Sequence, residues 1–129
     1  LKKYLVSIAV LGLLAACGGS SNSSTDTKDT AAAVNANDPS SNPDYKAGLA
    51  LIAKNDCLTC HDVNKKIVGP AYADVAAKYA GQDTAVTYLA HKVIAGGSGV
   101  WGNIPMTAHP QLSEADAEQM VKYVLLLKK

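Results

Sequence analysis

Two cysteines three positions apart, with a histidine directly after the second, limit what this 129-residue chain can fold around: Cys57-Leu58-Thr59-Cys60-His61. This is the pattern of covalent haem c attachment, in which each thiol adds across one vinyl group and the next residue brings an imidazole to the iron. Two intervening residues let one helical turn reach both vinyls. Three other readings compete. A thioredoxin-like Cys-x-x-Cys pair calls for a preceding strand in a βαβ setting, whereas the residues before Cys57 have helical spacing. A zinc site calls for further Cys or His at ligand spacing, and His91 and His109 stand isolated. A disulfide between Cys57 and Cys60 leaves His61 without a role.

Composition agrees with a fold built around something other than side chains. Apolar residues make up 48% of the chain, but 21 of them are Ala and there is no Phe, so bulky core-filling groups are scarce for so small a domain. The 12 basic residues are all Lys and balance 11 acids to a net charge of +1, which gives no support for nucleic-acid binding and excludes a supercharged tail. Only 3 cysteines are present, too few and too clustered for a disulfide framework.

The N-terminal stretch reads as an address. Lys2 and Lys3 precede an apolar run from Leu5 to Leu14, too short to span a bilayer and of the length of an export-signal core. It ends in Leu14-Ala15-Ala16-Cys17, which resembles the bacterial lipobox. Residues 1–16 are therefore expected to be a lipoprotein signal peptide and Cys17 the lipidated N-terminus, with a coincidental Cys after a plain signal as the alternative. From Gly18 to Pro43 the only bulky apolar residue is Val34, so residues 17–43 are expected to form a tether that cannot order itself. Its root-mean-square span would be about 28 Å.

Residues 44–129 form the expected globular domain, and they read as all-α. Tyr45, Leu49 and Ile52 share one face of a first helix capped by Asp44, which runs into Cys57. A short helix covers Tyr72 to Tyr79 and stops at Gly81. Asp83 is the expected cap of a third, with Val86, Leu89, Val93 and Ile94 on one face and Gly96 at its end. Ser113 caps the last, whose stripe is Ala117, Met120, Val121, Val124 and Leu125. Between Gly96 and Leu112 lies a long loop with the single Trp of the chain, and loops of that length in compact domains are usually functional.

The chain from Asp44 to Lys129 resembles the small bacterial class I cytochromes c of the cytochrome c-551 type. The resemblance rests on Cys57-x-x-Cys60-His61, on Val68-Gly69-Pro70-Ala71-Tyr72 followed by Asp74 to Gly81, on Gly99-Val100-Trp101-Gly102, and on Ile104-Pro105-Met106. It implies about four helices wrapped around one haem c bound through Cys57 and Cys60, with His61 and Met106 as axial ligands. It further implies that the Pro70 carbonyl accepts a hydrogen bond from the ligand imidazole, against a plain turn role for that proline. Trp101 would donate to a haem propionate, against simple packing of its indole. Lys92 falls where the family often carries a base near a propionate. One departure stands out: where the family often has an amide three residues after the Met, this chain has His109.

The sixth ligand can also be argued from the residues alone. Met106 follows Pro105 in a Gly/Pro loop that can be shaped around a haem, whereas Met120 lies in the apolar stripe of the last helix and reads as core; His109 is a rival in the same loop. A haem closed by two strong ligands makes a carrier of single electrons and not an enzyme. It is expected to work as a monomer outside the cytoplasm, between respiratory complexes and a terminal oxidase or reductase. Redox partners would dock transiently at an exposed haem edge ringed by Ile67, Val68, Ala71 and Ile104, with Lys54, Lys65 and Lys66 able to steer an acidic surface. The lipid on Cys17 would hold the protein to a membrane, and Gly18 after it leans toward the outer one by analogy. Two alternatives stay open: a permanent haem subunit of a larger oxidoreductase, and a haem sensor or peroxidase with a displaceable sixth ligand.

Overall fold

The computed structural model describes residues 38–129; the leader, Cys17 and the tether up to residue 37 lie outside the described residues. Four α-helices and one short hairpin follow in order: α1 (Pro43–Lys54), α2 (Tyr72–Tyr79), α3 (Ala85–Ala95), β1 (Gly97–Gly99), β2 (Gly102–Met106) and α4 (Glu114–Leu126). The all-α expectation holds for every helix, with different caps at two of them. Asn42, not Asp44, caps α1: its side chain accepts from the Asp44 amide at 2.9 Å, Pro43 occupies the first helical position, and Asp44 sits in the first turn where its charge suits the helix dipole. Asp83 is no cap either, since α3 starts after Thr84 without a side-chain bond. Ser113 does cap α4, accepting from the Asp116 amide at 3.1 Å. Within the stretch read as tether, Pro39–Ser41 make a turn of 3-10 helix capped by Asp38.

Helix α4 is the hub and packs against α1, α2 and α3. At its crossing with α1 the helices approach so closely that a Cβ on Gly48 would collide with Tyr123 and lie 2.5 Å from the Gln119 carbonyl oxygen. Gln119 locks the same junction from its side chain, donating to Asp44 Oδ1 at 3.0 Å. Tyrosines supply the bulk that a chain without Phe lacks: Tyr72, Tyr79 and Tyr123 are buried beside Ile52, Val75 and Met120. The Tyr123 ring meets Tyr45 edge-on at 4.9 Å and Tyr72 at 6.4 Å, the arrangement that aromatic quadrupoles favour. Burial holds the Tyr72 phenol above its ordinary pKa, so it remains a neutral core group.

The long loop after α3 contains structure that period-two reading could not see. Its strands pair antiparallel, Gly97 with Met106 and Gly99 with Gly102. They hold together through backbone alone, since most of their residues are exposed and no alternating apolar face exists to announce them. The bulky stripe of α3 is also unlike a core stripe: Val86, Leu89, Val93 and Ile94 are only half-buried, while Ala85 and Ala90 are fully so. Leu89 and Val93 front a cavity in the protein's middle.

Candidate functional site

The cavity has a volume of about 570 Å³ and a largely apolar wall. Cys57, Cys60, His61, Pro70, Trp101 and Met106 all line it, drawn from the α1–α2 connection and the hairpin. The sequence brings them there by a series of local devices. Helix α1 ends at Asn55, and Asp56 then takes a left-handed conformation at φ 55°, which an aspartate tolerates better than most residues. That reversal starts the 3-10 turn Cys57–Thr59, in which the Cys60 amide donates to the Cys57 carbonyl at 3.2 Å. Side chains at i and i+3 eclipse in such a turn, so the two thiols stand over the same edge of the cavity. The His61 amide extends the turn, donating to the Cys57 carbonyl at 3.0 Å.

The imidazole of His61 is fixed from several directions. Its Nδ1 lies 2.8 Å from the Pro70 carbonyl oxygen; a carbonyl can only accept, so Nδ1 carries the proton and Nε2 keeps a free lone pair. The ring stacks on Tyr72 at 5.2 Å between centroids and 15° between planes. Gly69 presses on it so closely that a Cβ there would come within 2.8 Å of Nδ1 and 2.9 Å of Nε2. Behind the ring, the Tyr72 and Ala73 amides at the start of α2 donate to the Asp62 and Val63 carbonyls at 2.9 and 3.0 Å.

The chemistry of the thiols separates the competing readings of the cysteine motif. Cys57 and Cys60 are both free, and burial pushes the Cys57 thiol above its ordinary pKa, with the neighbouring Asp56 adding to that. A thiol raised in this way is the opposite of the activated thiolate of a disulfide oxidoreductase, and helix α1, not a strand, precedes it. Among the described residues no group of three or more His, Cys, Asp or Glu converges to hold a metal ion such as zinc.

On the other wall, Met106 closes β2 and is half-buried, while Met120 is 2% exposed within the core of α4 and also touches the cavity. His109 lines the same cavity; His91 is exposed on α3. Trp101 is 38% exposed, with the Lys78 ammonium 5.4 Å from its ring centroid, and Lys92 stands 5.7 Å over the Tyr88 ring. Both pairs place a cation beside the cavity. The rim differs from expectation in two members: Ile67 is exposed but does not line the cavity, and Ala71 is not at the surface at all. Ala71 is completely buried, because it is wedged at the start of α2; Val100 and Trp101 stand at the mouth with Val68 and Ile104, which is 65% exposed. Sequence reasoning missed Tyr72 as the stacking partner of His61, Gly69 as its clamp, and Lys78. Only Gly69 left a signal, as a glycine before a proline close after the histidine.

An apolar cavity edged by two thiols, with an imidazole whose Nε2 is free and a thioether in its wall, fits a covalently held haem. Comparison with known proteins agrees. The Cytochrome c family profile matches residues 45–128. Cytochrome c-552 of Nitrosomonas europaea is 51% identical over 83 residues, covering 64% of this chain and 81% of that protein. Cytochrome c-552 of Hydrogenobacter thermophilus is 52% identical, covering 64% and 83%. The crystal structure of the wild-type Nitrosomonas protein superposes with a TM-score of 0.59 over 62% of this chain and 99% of that chain, and a Class 1 cytochrome of Sideroxydans lithotrophicus does so with 0.57 at 30% identity, over 65% and 96%. The chain therefore has the class I cytochrome c fold and belongs to the cytochrome c family.

Proposed function

We propose that this monohaem electron carrier holds its haem between His61 and Met106 and exchanges electrons through the cavity mouth, outside the cytoplasm, while tethered to a membrane by lipid on Cys17. The observation that carries the ligand assignment is the His61 ring, whose Nδ1 is committed to the Pro70 carbonyl at 2.8 Å inside the cavity that Met106 also lines. The haem c, bound through Cys57 and Cys60, supplies a one-electron couple at its iron.

The protein's own residues determine what that couple does. The Pro70 carbonyl makes the His61 imidazole a stronger donor. The Met106 thioether favours the ferrous state and raises the potential relative to a second imidazole. Gly69 and Tyr72 keep the His61 ring in one place, so little rearrangement accompanies gain or loss of an electron. Lys92 and Trp101, which line the cavity, and Lys78, which stands over the Trp101 ring, could supply positive charge and an indole N–H to the haem propionates. The exposed apolar rim of Val68, Val100 and Ile104 suits a small dry contact that forms and separates quickly. Lys54, Lys65 and Lys66 are exposed and would orient an acidic redox partner.

Among the described residues no helix is long and apolar enough to cross a membrane, and the lipid on Cys17 is the proposed means of attachment. A redox titration combined with carbon monoxide exposure tests the carrier function. A single one-electron step, a sulfur-to-iron charge-transfer band in the ferric protein and no carbon monoxide binding at rest are expected. Prompt binding of carbon monoxide to the ferrous form would instead identify a sensor or peroxidase with an open sixth position.

A further inference from the structure

The hairpin that carries Met106 has little to lean on. Among the described residues no helix packs broadly against β1 or β2, and most residues of both strands are exposed. Its base is held where α3 ends: the Met106 carbonyl oxygen lies so close to Gly96 that a Cβ there would approach to 2.5 Å. Its tip is the turn Val100-Trp101 between the paired Gly99 and Gly102, which take φ of 104° and 117°. Glycines there permit so tight a turn, but they give the tip no side chains of their own with which to dock.

At that tip the Lys78 ammonium stands 5.4 Å from the Trp101 ring centroid, inside the distance of about 6 Å at which an indole face attracts a cation. Lys78 is firmly based. It lies in the last turn of α2, its carbonyl accepts from Gln82 Nε2 at 2.9 Å, and Val75, Ala76 and Tyr79 beside it are buried. The next residue, Tyr79, packs on Tyr88 of α3 with 5.7 Å between ring centroids. A cation over the ring face leaves the in-plane indole N–H free for another acceptor.

We infer that Lys78 is a positioning residue that clasps the tip of the hairpin to α2 through Trp101 and so holds Met106, at the far end of β2, closed on the iron. This rests on Met106 as the axial ligand. A ribbon fixed only at its base can swing, whereas one fixed at base and tip cannot. Without the clasp, the loop that carries the thioether opens more often.

Two measurements on the intact holoprotein test it. Imidazole can bind ferric haem only when Met106 has left, so its affinity, read by loss of the charge-transfer band, reports how often the loop opens. An exposed contact of this kind changes an equilibrium about two- to fivefold, and imidazole affinity should rise by that factor in Lys78→Met. Lys78→Arg, which keeps a cation for the ring, should return it to the wild-type value. In a Trp101→Leu background, Lys78→Met should have little further effect. An equal effect in both backgrounds assigns the lysine's charge to the propionates and overturns the clasp, as does wild-type affinity in Lys78→Met. Amide hydrogen exchange gives a second reading that stands even if Trp101→Leu fails to hold haem: in Lys78→Met the hairpin amides should exchange about two to five times faster, with α4 unchanged. Hairpin exchange at the wild-type rate overturns the inference. A wild-type ferric protein with no charge-transfer band removes the Met106 ligand and this inference with it, whereas a band that is present but indifferent to Lys78 refutes only the inference.

Discussion

Replacing Gly69 by alanine places a methyl group against the His61 ring, and the structure sets the size of the effect. The new Cβ would collide with Cε1 of the ring and lie 2.8 Å from Nδ1 and 2.9 Å from Nε2, where ordinary contact begins at 3.4 Å, so either the ring or the backbone must retreat by about 1 Å. The backbone has little room: the Gly69 amide donates to the Cys60 carbonyl at 2.7 Å and its carbonyl accepts from Ile67 at 3.3 Å. The ring can move only along buried Tyr72 and away from the Pro70 oxygen. Overpacking of this kind costs about 1–3 kcal/mol, and a weakened hydrogen bond adds about 1 kcal/mol. For a domain of this size the sum corresponds to a fall in Tm on the order of 10–20 °C. Loss of the bond to Pro70 also makes the imidazole a poorer donor, so the midpoint potential should rise. Thermal unfolding of the holoprotein followed by circular dichroism, with potentiometry on the same sample, reads both. An unchanged Tm together with an unchanged potential would refute the clamp on His61.

Three further predictions rest on separate parts of the molecule. Gly48→Ala should cost about 1–3 kcal/mol in denaturant unfolding, because the new methyl meets the α4 backbone and not a flexible side chain, and it should leave the haem spectrum unchanged. The Asn64 and Lys65 amides donate to the Asp62 carboxylate at 2.8 and 3.0 Å and hold its pKa below the ordinary value; its contribution is present above the unfolded carboxylate pKa and lost as pH falls through the lowered one. The stability gap between wild type and Asp62→Asn should therefore close on acidification, and a gap that widened would contradict the sign. Cys17→Ser behind an ordinary cleavable signal should give a soluble protein of unchanged spectrum and potential, with slower transfer to a membrane-bound partner; retention in the membrane fraction after a salt wash would count against the lipid anchor.

The helices were legible because their cores are apolar stripes at helical spacing, and Ser113 and Gly96 mark their ends plainly. Asp44 and Asp83 misled as caps because several polar residues stand together at each helix start, and only the backbone shows which one turns outward. The hairpin left no trace, since glycine and proline strands pair through main chain alone. At the site, the covalent motif was readable from spacing, whereas Tyr72 against His61 and Lys78 over Trp101 depend on how α2 lies across the cavity. Ala71 was misplaced at the rim for the same reason: it precedes α2 in the chain beside exposed Val68, but the chain turns inward between them. The half-buried stripe of α3 shows what a chain without Phe leaves open, because Leu89 and Val93 face a cavity where another protein would place a large side chain.

The axial pair is tested most directly by comparing the ferric absorption spectra and midpoint potentials of wild type, Met106→Ala and Met120→Leu. Met106→Ala should abolish the sulfur-to-iron charge-transfer band and lower the potential, because water or a stray histidine replaces a thioether that favours ferrous iron. Met120→Leu, a volume-conserving change at a side chain only 2% exposed, should leave the band in place and cost less than about 1.5 kcal/mol of stability. Loss of the band in Met120→Leu with its survival in Met106→Ala would contradict the proposed ligation.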